Sequence, residues 1–548
     1  MSARRDLAWL GLLALAVNAG AAWFTRQPAY MDAYYYFNGA LQLARGLGFT
    51  EPYVWNYLAP VRGLPAPSHL YWMPLTSLVA APFLSLAEWA AGARLDNAAL
   101  FRAAQIPMLL AASALPLLTY AIARSATGVR RHAVAAALLT LFSAFYFPFW
   151  ATTDSFALFG LCAAGALWAG ARSLEVSVAT RPAVAGVGLA VSGVLAGLAH
   201  LARADGVLVL LCLLSFCAIN FITRRLPPAA CLLPPVLLIA GYGLIMAPWF
   251  ARNLLAVGAP LAPGGSRALW LTAYEDLFTY APGQLTIARY LAQGWGAILA
   301  SKGEAFAANL QSLVATQANI ITFPFLLVGA WRLRHQAAFQ LAGLYGAALF
   351  AAMTLAFTFP GVRGGYFHSG AALLPCLYPA ALAGLDAAVD AAARRLKHWQ
   401  PEKSKPVFTA LLVLAGLALT AVVWIRSVPA AQGADLVYAE IGAWLSGAEA
   451  INPQDERPSA GRAAVNNPPA FYYHTGRPAI VVPAGDEAAL VQAMDDFRAR
   501  WLVLDVNVAA GLRGLYVAPA ASPDFRLRAT FRDAAGRDVY VLERAGSP

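Results

Sequence analysis

The chain has 548 residues, of which 60% are hydrophobic and only 12% charged, with a formal net charge of +11. A soluble chain carries about twice that share of charge. A soluble enzyme, a disordered protein and a disulfide scaffold are therefore excluded, and a polytopic membrane protein remains.

The chain opens Met1-Ser2-Ala3-Arg4-Arg5, followed by an apolar run from Leu7 to Phe24. Basic residues ahead of such a run read as a retained signal anchor with its N-terminus in the cytoplasm. Further runs long enough to cross a bilayer, about 20 residues each, lie at 102–123, 132–150, 155–171, 183–199, 206–222, 229–250, 314–331, 337–357, 370–390 and 407–425. The run 72–92 carries Pro74, Pro82 and Glu88. If it does not cross, the clusters Arg124/Arg130/Arg131, Arg172/Arg181, Arg224/Arg225, Arg332/Arg334 and Arg394/Arg395/Lys397/Lys403/Lys405 all fall in the cytoplasm. If it crosses, all of them fall outside, against the positive-inside rule. It is read as a kinked juxtamembrane segment on the outer face. The expectation is eleven spans, N-terminus in and C-terminus out, in a plasma membrane.

This arrangement explains the basic surplus, and no nucleic-acid-binding module motif appears. It also puts three long segments outside: roughly 25–101, 251–313 and 427–548. The predicted domains are a membrane part, 1–426, and an extracytoplasmic α/β domain, 427–548. In the latter, Ala479–Val482 and Trp501–Leu504 read as strands, Asp486–Arg500 as an amphipathic helix with Leu490, Val491, Met494 and Phe497 on one face, and Phe525–Phe531 with Val539–Leu542 as a terminal hairpin. The five Cys lie in apolar runs without metal spacing and read as small buried hydrophobes.

Chemistry concentrates on the outer side. Asp32, in Tyr30-Met31-Asp32-Ala33-Tyr34-Tyr35-Tyr36, follows the first span closely. A carboxylate at the bilayer rim among aromatics is suited to deprotonating a hydroxyl or holding a metal, or it caps a helix. Asp154, in Thr153-Asp154-Ser155, has the same two readings. Arg203, Arg252, Arg363 and His368 oppose the positive-inside trend. A bound lipid phosphate accounts for them; for Arg203 the competing account is pairing with Asp205. No nucleotide-binding loop appears, so an outward-facing enzyme needs a membrane lipid as its activated donor.

These residues, taken in order, resemble the GT-C superfamily of membrane glycosyltransferases, nearest the protein O-mannosyltransferase and aminoarabinose-transferase-like branch. The resemblance rests on Asp32-Ala33-Tyr34-Tyr35 after span one, Pro67-Ser68-His69-Leu70-Tyr71-Trp72-Met73-Pro74, Thr153-Asp154-Ser155-Phe156, and Pro248-Trp249-Phe250-Ala251-Arg252-Asn253 with Gly258 and Pro260, and it covers about residues 1–425. Ala33 stands where many relatives have Glu, and the Trp-Trp-Asp motif of oligosaccharyltransferases is absent. The resemblance implies a mainly α GT-C-like fold and transfer of a sugar, with inversion, from a polyprenyl-phosphate donor to a lipid, glycan or protein acceptor. It implies Asp32 as base and Asp154 as a positioning or metal-binding carboxylate, with Mg or Mn as the candidate metals. Arg203, Arg252, Arg363, His368 and His69 are the expected phosphate-binding cations, and Tyr35 is expected to line the substrate. The competing class is a secondary transporter or lipid-linked sugar flippase; such proteins carry repeated halves and midplane charges, and neither is visible here.

Overall fold

In the computed structural model, which describes residues 3–175, 182–224, 228–396, 399–450 and 461–546, the chain forms two units. The first contains residues 1–24, 105–260 and 302–427; the second contains 25–104, 261–301 and 428–548. Arg181, Arg225 and Lys397, counted above among the cytoplasmic clusters, lie outside the described residues.

Among the described residues, nine helices are long and apolar enough to cross a membrane. They include Ala3–Phe24, Asn97–Thr127, Phe156–Glu175 and the run Thr358–Ala393. Two expected spans differ. The run 132–150 is helical only over Arg130–Leu141 and then tightens into a 3₁₀ segment, Ala144–Phe149, around Pro148. The backbone leaves helical geometry at Phe142 (φ −98°, ψ 62°), and Ala144 has positive φ, so the helix has already stopped before Pro148. The run 314–331 is broken: Leu313–Gln317 is a π-helical turn, Asn319 and Ile320 have positive φ, and a new helix runs Phe323–Leu333. Leu75–Ala91 is a shorter apolar helix of 17 residues. Its Trp89 is exposed, while Glu88 pairs with Arg45 at 3.4 Å and Arg94 at 2.8 Å.

Small residues let the membrane helices approach. A Cβ on Gly329 would fall 1.6 Å from Ala380 O, and one on Gly384 would fall 1.8 Å from Phe325 O. Phe323–Leu333 and Leu374–Ala393 thus touch backbone to backbone, as apolar helices do where lipid supplies no hydrophobic drive between them. At one end of the first unit, charges are matched: Arg131 reaches Asp386 at 2.6 Å, and His132 reaches the same carboxylate at 2.9 Å.

The second unit is built on a six-stranded sheet. The strands are β1 (Thr50–Glu51), β2 (Tyr53–Val54), β3 (Ala66–Pro67), β4 (Ala463–Val465), β5 (Ala479–Val481), β6 (Trp501–Leu504), β7 (Phe525–Arg532) and β8 (Asp538–Arg544). The order is β2-β5-β4-β6-β8-β7, with β1 and β3 as a separate antiparallel pair. β2, β5, β4 and β6 are parallel; β8 runs antiparallel to β6 and β7 to β8. Helices Pro468–Thr475 and Glu487–Asp496 make the crossovers, so β4, β5 and β6 are buried throughout. The expected strands, helix and hairpin are present; β4, Pro468–Thr475 and β2 were not anticipated. The three segments expected outside fall in one unit: β2 of the first segment extends the C-terminal sheet, Tyr57 donates to Val481 O at 2.7 Å, and Tyr280 donates to Asp496.

Candidate active site

In the second unit, helix Met31–Ala44 begins after Tyr30, whose backbone is extended (φ −153°, ψ 164°), and Asp32 lies in its first turn. Four unpaired N–H groups and the helix dipole favour a negative charge there. Asp32 is half-buried, whereas Ala33 to Gln42 are buried. The carboxylate stands at the rim of a packed helix rather than inside it.

Tyr35 is 1% exposed, and its hydroxyl accepts from the His69 backbone N–H at 2.5 Å. Its ring lies 4.9 Å from that of Trp72 and 5.2 Å from that of His69; Trp72 stacks on Trp55 at 3.8 Å. His69 is also 1% exposed, with Nδ1 2.8 Å from Ser68 Oγ and Nε2 3.1 Å from Ser77 Oγ. A Cβ on Gly39 would fall 2.7 Å from Ser77 Oγ and 2.9 Å from the His69 ring, so only glycine permits this approach. The two first-loop motifs therefore fold into one aromatic knot. His69, expected to bind phosphate, and Tyr35, expected to line the substrate, are both held inside this knot.

In the first unit, Asp154 is 1% exposed and precedes helix Phe156–Glu175. Its Oδ1 accepts from the Ser155 backbone N–H and, at 3.1 Å, from Ser155 Oγ. Both bonds come from the adjacent residue, just ahead of that helix. Its Oδ2, however, faces His368 Nε2 at 3.5 Å. The His368 ring stacks on Phe156 at 3.9 Å and an interplanar angle of 19°. Its Nδ1 lies 2.8 Å from Gly364 O. A carbonyl only accepts, so Nδ1 carries the proton. A neutral ring then aims the Nε2 lone pair at the carboxylate, which repels. A proton or a metal cation at Nε2 turns that repulsion into attraction. The fixed tautomer, a carbonyl behind the ring and a carboxylate in front, is a donor set that fits a divalent cation.

The Gly361–Gly365 segment builds this arrangement. Gly364 has φ +117°, and a Cβ there would lie 3.3 Å from His368 Nδ1. A Cβ on Gly361 would meet Met353 O at 2.3 Å. Glycine at 364 thus turns the backbone carbonyl toward the imidazole. Arg363, at the kink, is exposed.

Arg203 is tied inward. Its Nε reaches Asp205 Oδ1 at 3.1 Å and Ser369 Oγ at 2.9 Å, while Ser369 donates to Asp205. The pairing with Asp205 weighed in the sequence is present, and through Ser369 it anchors the residue next to His368. Arg252 lies 4.8 Å above the Trp249 ring and donates to Asn253 Oδ1 at 3.0 Å. Asn253 Nδ2 donates in turn to Pro260 O at 3.2 Å, so the Arg252-Asn253 motif fixes the chain past Gly258. The sequence assigned no role to Phe156, Gly364 or Ser369; Phe156 and Ser369 act through contacts with residues far away in the chain, and Gly364 through the local turn to His368.

No protein-family model and no curated relative matches the chain. Solved structures match over nearly its whole length. The archaeal oligosaccharyltransferase AglB from Archaeoglobus fulgidus, in complex with an inhibitory peptide and a dolichol-phosphate, is 12% identical over 97% of this chain and 74% of its own, with a TM-score of 0.58. A structure of the Archaeoglobus fulgidus oligosaccharyltransferase with Zn and sulfate is 13% identical over 98% and 72%, with a TM-score of 0.61. ArnT from Cupriavidus metallidurans, bound to undecaprenyl phosphate, is 15% identical over 100% of this chain and 99% of its own, with a TM-score of 0.56. At these identities the likeness defines the fold: a multi-pass helical membrane protein with a C-terminal α/β region, of the GT-C type.

Proposed function

We propose that this protein is a membrane glycosyltransferase that moves a sugar from a polyprenyl-phosphate donor to an acceptor hydroxyl on the outer face, with inversion. The observation that carries the reading is the His368–Asp154 pair. An imidazole nitrogen and a buried carboxylate oxygen face each other 3.5 Å apart, with the other imidazole nitrogen fixed by Gly364 O. The fold supports the donor class, since neighbours of similar architecture are solved with dolichol-phosphate and with undecaprenyl phosphate.

In this reading Asp32 takes the proton of the acceptor hydroxyl as that oxygen bonds to the anomeric carbon. The anomeric carbon–oxygen bond to phosphate breaks, and the polyprenyl phosphate leaves with the bonding pair. The departing group is already an anion and needs no proton; it needs positive charge. Arg363 and Arg252 supply part of it. Asp154 and His368 would hold a divalent cation, which when bound neutralises charge on the leaving phosphate. Arg203 positions Ser369 and hence the His368 turn. Transfer of the proton to one placed base contributes about 10²–10⁴-fold.

The test is incubation of the purified protein with radiolabelled polyprenyl-phosphate sugars and membrane, glycan and protein acceptors, followed by mass spectrometry of all products. A new glycosidic bond with the opposite anomeric configuration supports the reading. Movement of intact lipid-linked sugar across the bilayer, with no new bond, replaces it with a flippase.

A further inference from the structure

His368 sits on a helix of only five residues, Tyr366–Gly370. A π-helical turn, Gly361–Gly365, precedes it and a 3₁₀ turn, Ala371–Leu373, follows. A helix this short does not hold its own shape and depends on partners from the rest of the fold. Three side chains supply them, each fully buried and each from a different element. Tyr146 donates its hydroxyl to Phe367 O at 2.7 Å, Gln317 donates Nε2 to Tyr366 O at 3.4 Å, and Tyr345 donates to Ser369 O at 3.2 Å. Gly370 leaves the room that Gln317 fills, since a Cβ there would fall 2.1 Å from its Nε2.

Two of these donors come from the two broken spans. Tyr146 lies in the 3₁₀ segment Ala144–Phe149, and Gln317 ends the π-helical turn Leu313–Gln317. Irregular backbone in a membrane protein is tolerated where it is buried in protein, and π turns within helices frequently sit at functional sites. Here both irregular segments deliver a polar group to the same five residues.

The Tyr146 bond is the most direct. Phe367 O belongs to the planar peptide unit that includes the His368 nitrogen and Cα. Holding that oxygen fixes the plane from which the imidazole projects. The Tyr146 ring also lies 4.5 Å from Phe367 and 6.0 Å from Phe156, the ring on which His368 stacks. The hydroxyl sets the backbone, while Gly364 O and Phe156 set the imidazole. A ligand pair works only when its atoms are held to within about 0.5 Å.

We propose that Tyr146, seconded by Gln317, is a positioning residue: through the Phe367 and Tyr366 carbonyls the two hold His368 Nε2 at the distance from Asp154 Oδ2 at which both ligate one divalent cation. The assignment rests on the cation reading of that pair and adds to it the groups that set its geometry.

The test is Mn²⁺ titration of the full-length protein in nanodiscs, read by electron paramagnetic resonance of the free ion, with thermal unfolding measured on the same samples. Tyr146→Phe keeps the ring and removes the hydroxyl; Gln317→Met keeps the volume and removes the amide. Tyr120→Phe is the matched control, because it loses a hydroxyl bond to Asp6 at 3.0 Å that has no part in the 364–370 turn. His368→Ala removes the ligand itself. Loss of a group that orients a metal ligand weakens metal binding roughly 10–100-fold. The expected result is that Tyr146→Phe weakens Mn²⁺ binding about tenfold and Gln317→Met by a smaller factor, while Tyr120→Phe binds as wild type does although it too unfolds at a lower temperature. Wild-type affinity in Tyr146→Phe, with His368→Ala weakened, overturns the positioning role and leaves the cation pair standing. Equal weakening in Tyr146→Phe and Tyr120→Phe also overturns it, because that marks general loosening of the fold. Equal affinity of wild type and His368→Ala defeats the cation reading itself, and this assignment with it.

Discussion

His368 Nε2 stands 3.5 Å from Asp154 Oδ2, and His368 Nδ1 donates to Gly364 O across 2.8 Å. The backbone carbonyl fixes which nitrogen is protonated, and so fixes what the carboxylate faces. If a divalent cation occupies the gap, the purified protein carries metal. Asp154→Asn and His368→Ala then each reduce metal affinity by roughly 10–100-fold or more, the range seen even for residues one layer removed from a metal. Elemental analysis and metal titration of chelator-treated protein check this. Full activity after complete metal removal leaves a protonated imidazole as the cation instead.

Gly364 is the backbone position on which that geometry depends, at φ +117°. Gly364→Ala places a Cβ in a conformation L residues rarely adopt, 3.3 Å from the imidazole. A cost of about 1–3 kcal/mol is expected, relieved by turning the carbonyl away from Nδ1. Activity should fall by at least about tenfold while the far-UV helical signal is unchanged. Wild-type turnover in Gly364→Ala would show that the carbonyl does not orient the ring.

The aromatic knot of the first loop separates stability from donor binding. Tyr35→Phe removes the hydroxyl that accepts from His69 N–H and should cost about 1 kcal/mol. His69→Ala removes a buried ring with both nitrogens engaged and should cost about 2 kcal/mol or more. Thermal unfolding reads both losses. Donor affinity of the folded fraction should stay within about twofold of wild type. A large selective loss of donor affinity with unchanged unfolding temperature would return His69 to the phosphate site.

His474, outside the spanning helices, gives the second unit a pH dependence. Burial pushes its imidazole down from its ordinary value near 6.5 to about 4. The neutral ring lies 3.3 Å from the Tyr34 hydroxyl. Folded protein keeps His474 neutral where the unfolded chain binds a proton, so the unfolded state holds more protons between about pH 6.5 and 4. The stabilisation is complete above that window and is lost as pH falls through it, by up to about 1.4 kcal/mol per pH unit. Unfolding temperature measured across the window should fall more steeply for wild type than for His474→Phe. Parallel curves would remove His474 from the acid response.

Much of the fold was legible because apolar runs and strand alternation are local. Most apolar runs found their helices, and Ala479–Val481 and Trp501–Leu504 stand where short apolar runs put them, with the terminal hairpin beyond. Misses fell where distant partners or backbone detail decide. The non-helical Phe142 and the positive φ of Ala144 stop one span short, and the turn at Asn319 and Ile320 breaks another. β2 is two residues long and exists because β5 is there to pair with it. At the site, residue type and position pointed to Asp154 and His368, but no spacing in the sequence could say that they meet. His69 reads in the sequence as an outer cation; that Ser68, Ser77 and Tyr35 pack around it is visible only in the fold. Arg203 with Asp205 two residues on was readable as a pair, and the structure adds Ser369 to it.

The most direct test of the central claim is the turnover of Asp32→Asn, purified and correctly inserted, with a polyprenyl-phosphate sugar and its acceptor. The account predicts that kcat falls about 10²–10⁴-fold while donor affinity holds. Turnover equal to wild type would contradict it, because the acceptor hydroxyl would then be losing its proton to some other group.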